Sequence, residues 1–201
     1  DDGLDHVLNG GLPEAHVVGV AAQPGTGKST LLRTSGAAMA HNGLRVLIAC
    51  PEEGKKSLAA SRDRLGLSKR YPKAAKRLWI VTSKKLENVL ALIDKYEIDV
   101  FIFDSVNYAI SDEHKVNAMV QITKALCRRA HATNEFADCK PCSMFLVYHA
   151  TKAGKVTGNN TIVHAVDAFL WMEHLDPDTM IAADDQSKGT GVVGLRIHQK
   201  I

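Results

Sequence analysis

Six apolar residues, Val17-Val18-Gly19-Val20-Ala21-Ala22, run directly into Gln23-Pro24-Gly25-Thr26-Gly27-Lys28-Ser29-Thr30. No other feature of the chain restricts its fold as much. An apolar run without alternation is the pattern of a strand buried on both faces, and therefore of a parallel sheet covered by helices. The glycines allow a tight turn in which successive N–H groups face inward. Residues 31–40 have helical character, and a helix beginning there adds the positive end of its dipole. A strand, a glycine turn and a helix in this order form the setting of a phosphate loop, here with Ala22 in place of the first glycine. On this reading residues Gln23, Pro24, Gly25, Thr26, Gly27, Lys28, Ser29 and Thr30 hold the phosphates of a nucleotide. Lys28 reaches the β- and γ-phosphates, and the Ser29 hydroxyl ligates Mg²⁺.

The rest of the chain repeats the strand–helix alternation. Apolar runs at 45–50, 78–82, 100–103 and 144–148 predict further buried strands, and 166–172 and 192–197 predict two more. Helices are predicted over 55–65, over the i, i+3, i+4, i+7 series Leu86, Val89, Leu90 and Ile93, and over 112–131. Alternation of this kind predicts a three-layer α/β domain with a mostly parallel central sheet, spanning residues 1–201 as one unit. With 45% hydrophobic and 23% charged residues, the composition excludes a disordered or fibrous chain. No apolar run approaches the ~18 residues of a membrane span, so no membrane partner is expected. A net charge of +3 is too small to announce a partner by itself. Four cysteines are too few for a secreted disulfide framework, which points to a reducing cytoplasm.

Other candidate residues lie at predicted strand ends. Asp104 closes the 100–103 run, where a carboxylate can hold Mg²⁺ through its water shell, or serve as a helix cap. Ser105 continues that polar rim. Glu52 and Glu53 follow the second strand. Either could orient or deprotonate an attacking water, and both could simply be acids in the first turn of a helix. His149 ends the fifth strand, as a reporter of the γ-phosphate or as a hydrogen-bonded strand-end histidine. The polar segment after it carries Lys152, Lys155, Asn159 and Asn160, able to contact a phosphate backbone or to stay solvated. Cys139 and Cys142 form a lone C-x-x-C, expected as a loop before the fifth strand, and no Cys/His spacing suits zinc.

With these residues in hand, the chain resembles the RecA-fold ATPases, most closely the RadA/Sms DNA-repair ATPases, over the ATPase core. Residues 3–12 are similar to the family's lead into the first strand, residues 23–30 to its Walker A loop, and residues 100–105 to its Walker B strand. Residues 46–53 resemble the strand ending in a glutamate pair, which implies that the catalytic base comes from Glu52 or Glu53, and Glu52 is the residue expected in that role. His149-Ala150-Thr151-Lys152-Ala153-Gly154-Lys155-Val156-Thr157-Gly158 resembles the family's His-Val-Thr-Lys-x-Gly-x-x-x-Gly. That likeness implies a histidine sensor at 149 coupled to a DNA-binding loop over 152–160, although the family's Gly-Pro-Arg/Lys tip is Gly158-Asn159-Asn160 here. Lys200 stands where the family's Lys-x-Arg-Phe-Gly motif begins, and it is expected to act on a neighbouring subunit's nucleotide. The resemblance implies an ATP- and Mg²⁺-dependent motor on single-stranded or branched DNA, working as a homo-oligomeric, hexameric ring. DnaB-type helicases and KaiC-like regulatory ATPases, the latter binding a protein partner, share the core and supply the alternatives.

Overall fold

The computed structural model describes residues 10–109, 115–150, 159–174 and 193–198. Strands are β1 Val17–Ala22, β2 Val46–Ala49, β3 Leu78–Val81, β4 Val100–Phe103, β5 Ser143–His149, β6 Ala168–His174 and β7 Val193–His198. Helices are α1 Lys28–His41, α2 Lys55–Arg64, α3 Leu67–Arg70, α4 Leu86–Lys95, α5 Lys115–Ala130 and α6 Asn159–Ala165. The strands form one sheet in the order β3-β2-β4-β5-β1-β6-β7. Pairing is parallel from β3 through to β6, and β7 runs antiparallel to β6. A mostly parallel three-layer sheet is thus what the apolar runs predicted.

Alternate residues of the same strands supply two hydrophobic clusters, one on each face. Val17, Leu47, Phe101, Phe103 and Met144 pack with Val89 and Ile93 of α4 and Met119 and Leu126 of α5. Val18, Ile48, Ile102, Phe145 and Leu170 pack with Leu32, Ala37 and Ala40 of α1. All six residues of β1 are buried, which no strand with one wet face could sustain.

Register decides where the strands end. Ala22 of β1 sits beside His149 of β5 and Met172 of β6. Ala49 of β2 sits beside Phe103 of β4, and Phe103 beside Leu146 of β5. The residues that follow β1, β2 and β4 and those that close β5 therefore emerge along one edge, the carboxyl edge, where open α/β sheets place ligands. Asp104 N–H donates to the Ala49 carbonyl at 2.8 Å and Ala150 N–H to the Ala22 carbonyl at 3.1 Å, extending the lattice past the strand ends.

Gly19 shows how closely β1 is packed. A Cβ added there would lie 2.5 Å from a ring carbon of Phe169, which is itself buried. Gly19→Ala is expected to lower the unfolding free energy by about 1–3 kcal/mol through overpacking. Denaturant titration checks this, and an unchanged midpoint would contradict it.

Candidate functional site

The phosphate-loop segment folds as its glycines require. Gly25 and Gly27 take φ of 87° and 90°, left-handed values costly for residues with a Cβ. Thr26 Oγ1 donates to the Gln23 carbonyl at 2.8 Å and holds the turn. Gly27 is the N-cap of α1, so no side chain caps the helix, and its first turn carries no acid. Uncapped N–H groups at a positive helix end make an anion site.

Lys28 is buried, and its Nζ donates to the carbonyls of Ala22 at 3.1 Å and Gln23 at 3.0 Å. An ammonium has three protons, so one is left to point into the loop. Burial pushes the Lys28 ammonium below its ordinary value, and the charges of Asp104 and Glu52 offset part of that. Both carboxylates therefore lie in the electrostatic reach of Lys28. The Glu52 carboxylate is also 3.8 Å from His149 Nε2. The backbone N–H of His149 donates to Asn107 Oδ1 at 3.0 Å, which ties the end of β5 to the turn after β4. Lys28, Glu52, Asp104 and His149 are thus brought together at the edge where they were expected.

The two glutamates do not open a helix. Gly54 caps α2, whose first turn has no acid, so Glu52 and Glu53 stand in the turn before it. Their side chains go different ways. Glu53 pairs with Arg33 Nη2 and accepts a hydrogen bond from Ser57 Oγ at 2.8 Å. Arg33 was not singled out from the sequence. It lies on the buried face of α1 with Gly36, Ala37 and Ala40, and a charge on that stripe is the signal that could have found it. Its guanidinium also reaches Asp104 Oδ2 at 3.5 Å, Ser61 Oγ at 3.0 Å and Cys50 Sγ at 3.8 Å. Burial works against the Arg33 charge, but Glu53, with Cys50 and Asp104, more than compensates and raises its pKa. Burial likewise pushes Glu53 up, and the hydrogen bonds from Arg33 and Ser57 overcome it, holding the carboxyl below its ordinary range. The Cys50 thiol is pushed by burial up to about 12 and stays protonated.

The donor set fits a magnesium nucleotide. Open backbone N–H groups and one ammonium proton suit phosphate, and the Ser29 hydroxyl and Asp104 carboxylate are the hard oxygens that Mg²⁺ prefers. Ser105 Oγ is buried beside Asp104 without a hydrogen-bond partner, a polar atom in keeping with a bound polar ligand.

Two sets of comparisons agree with this geometry. The chain is 33% identical to the DNA repair protein RadA of Campylobacter jejuni over 178 residues, covering 86% of this chain and 37% of that protein. It is 30% identical to the DNA repair protein RadA of Aquifex aeolicus over 174 residues, with the same two shares. Over this span the chain has a RecA-like P-loop core similar to that of the RadA proteins. A solved structure of a KaiC-like protein from Pyrococcus horikoshii superposes with a TM-score of 0.67 at 15% identity, covering 98% of this chain and 84% of that one, which confirms the fold. No family model matches the chain. The chain spans a little over a third of the length of these RadA relatives.

Three of the expected site residues, Lys152, Lys155 and Lys200, lie outside the described residues. Asn159 and Asn160 were expected in a loop, and this is corrected: they open α6. The Ile162 that follows is buried against the sheet, and burying it requires the helical turn. Cys142 is buried immediately before β5, Cys139 is partly buried, and both are free thiols. Among the described residues no cluster of His, Cys, Asp or Glu suits a metal, and no helix is long and apolar enough to cross a membrane.

Arg33→Met should lower stability at neutral pH by about 2–4 kcal/mol, because Glu53 and Asp104 lose a partly buried partner. The Glu53 contribution is present in full above the unfolded carboxyl range, about pH 4.3, and is lost as pH falls through its depressed folded value. The gap between wild type and variant should therefore narrow from pH 7 to about pH 3. Denaturation at both pH values tests this, and a constant gap would contradict it.

Proposed function

We propose that this chain hydrolyses ATP and couples the reaction to movement on single-stranded or branched DNA in recombination and repair, as a homo-oligomeric, hexameric ring. The carrying observation is the different fate of the two glutamates. Glu53 is engaged by Arg33, whereas Glu52 faces Lys28 and His149 beside the phosphate loop. The DNA side rests on the likeness to the RadA DNA repair proteins and on Lys152, Lys155, Asn159 and Asn160.

In this reading, backbone N–H groups of residues 25–30 and the remaining Lys28 proton hold the β- and γ-phosphates. Ser29 and Asp104 hold Mg²⁺, which would neutralise charge on the phosphate oxygens. Glu52 accepts the proton of the attacking water as its oxygen closes on the γ-phosphorus in line with the departing diphosphate. His149, between Glu52 and the segment after β5, reports the γ-phosphate to the DNA-contacting residues. Lys200 supplies positive charge to a neighbour's nucleotide.

Glu52→Gln should slow ATP hydrolysis by ~10²-fold or more while ATP binding persists, as loss of a general base does. Glu53→Gln should leave an active but less stable protein. Steady-state turnover of the two variants, with and without single-stranded DNA, checks both points. Loss of turnover in Glu53→Gln with Glu52→Gln unaffected would reverse the assignment. Turnover indifferent to DNA would favour a KaiC-like module that binds protein.

A further inference from the structure

Charge is distributed very unevenly along this chain. Residues 55–85 hold eleven of the 25 lysines and arginines but one of the 22 acids, Asp63. With a total of only +3, this stretch has an excess of ten cations and the remainder of the chain is net acidic. All eleven cations are exposed. Among the described residues, Arg62 is the only one of them with an ion pair, to Asp63 at 2.8 Å. Internal neutralisation does not account for the rest.

The stretch forms one surface. A cleft of about 300 Å³ lined by Arg62 of α2, Leu67 of α3, Tyr71, Ala74, and Leu78 and Ile80 of β3 joins these elements. α2 has no fully buried residue: Leu58 packs, partly buried, against the core, while Lys55, Lys56, Arg62 and Arg64 stay exposed. The hydrogen bond from buried Arg33 to Ser61 anchors it as well. β3 is the outermost strand, separated from β5 by β2 and β4. Three strand spacings, about 14 Å, thus lie between this surface and the strand that leads to Lys152 and Lys155.

We propose that this outer surface is a second nucleic-acid contact, gripping the sugar–phosphate backbone without reading sequence. Exposed cations, ten of the eleven without an ion pair among the described residues, exchange counterions with phosphates, which favours any polynucleotide strand. The aromatic residues here are already engaged: Arg70 lies 5.3 Å over the Tyr71 ring, and Trp79 stacks on Tyr96 at 5.1 Å. With no open ring for base stacking, the grip acts on the backbone. A lipid surface is disfavoured because Ile80 is the one exposed large hydrophobic residue among the described residues of this surface, too little for an apolar wedge. The inference rests on the DNA side of the function proposed above and adds a second place of contact.

The test uses the whole chain and a triple variant, Lys69→Gln, Lys73→Gln and Lys76→Gln. Fluorescence anisotropy is recorded with a labelled oligonucleotide of about 40 nucleotides and its duplex, over about 50 to 200 mM salt. The slope of log K against log salt should become shallower by about 2 to 3, and affinity should fall at least about tenfold for both. An unchanged thermal midpoint confirms that the variant is folded. The paired variant Lys152→Ala and Lys155→Ala separates the two claims. If it loses DNA while the triple variant binds normally, the outer surface is not a DNA contact and the proposed function stands. If the wild-type chain does not bind either oligonucleotide, both fail. A triple variant with normal DNA binding that has lost adhesion to phosphatidylserine vesicles, or has a smaller sedimenting mass, would assign the surface to a membrane or to a second copy, and would overturn the proposal.

Discussion

A buried guanidinium organises the polar edge of this protein. Arg33 is only 6% exposed, and a charge that far from water is tolerated only when it is paired and hydrogen-bonded. Its partners come from three places: Glu53 after β2, Asp104 after β4 and Ser61 in α2. Meeting that demand fixes α1, and with it the glycine turn at its N-terminus, against the ends of two neighbouring strands. It also decides between adjacent glutamates. Glu53 is used up in holding the edge together, and Glu52 is left facing Lys28 and His149. Structural support and chemistry are divided between two residues of the same type, one peptide apart.

Much of this was legible beforehand. β1, β2, β4 and β5 were legible because they are buried on both faces, so their apolar runs have no competing pattern. The glycine turn was legible because Gly25 and Gly27 occupy backbone conformations that other residues avoid. What escaped depends on distance along the chain or on packing. Arg33 meets Glu53 twenty residues on and Asp104 much later, and no local periodicity signals either pairing. The antiparallel sense of β7 follows from its pairing with β6 and not from its composition. Asn159 and Asn160 looked like loop residues by type, yet the buried Ile162 and Val166 draw that segment into a helix against the sheet. The strength of the outer basic surface was masked by the small net charge of the whole chain, since acids elsewhere offset it.

The result is a molecule with two differently charged margins. Along the carboxyl edge, cations and carboxylates alternate at close range: Lys28, Glu52, Asp104, Arg33 and Glu53. Such a mixture is suited to holding a polyphosphate while positioning a water, because developing charge meets fixed opposite charge nearby. Beyond β3 the charges are almost all positive and open to solvent, suited to a long anion held at many weak points. The Arg33–Ser61 hydrogen bond connects the two, running from the phosphate-loop helix to the helix that displays the outer cations.

The claim underlying all of this is that the turn after β1 holds the phosphates of a nucleotide. Calorimetric titration of the chain with ATP and Mg²⁺, beside Lys28→Ala, tests it most directly. The account predicts one nucleotide per chain, weaker binding when Mg²⁺ is withheld, and a loss of at least about tenfold in affinity in the Lys28 variant, as removal of a charge-assisted contact requires. Equal affinity in wild type and variant, or no bound nucleotide in either, would contradict it.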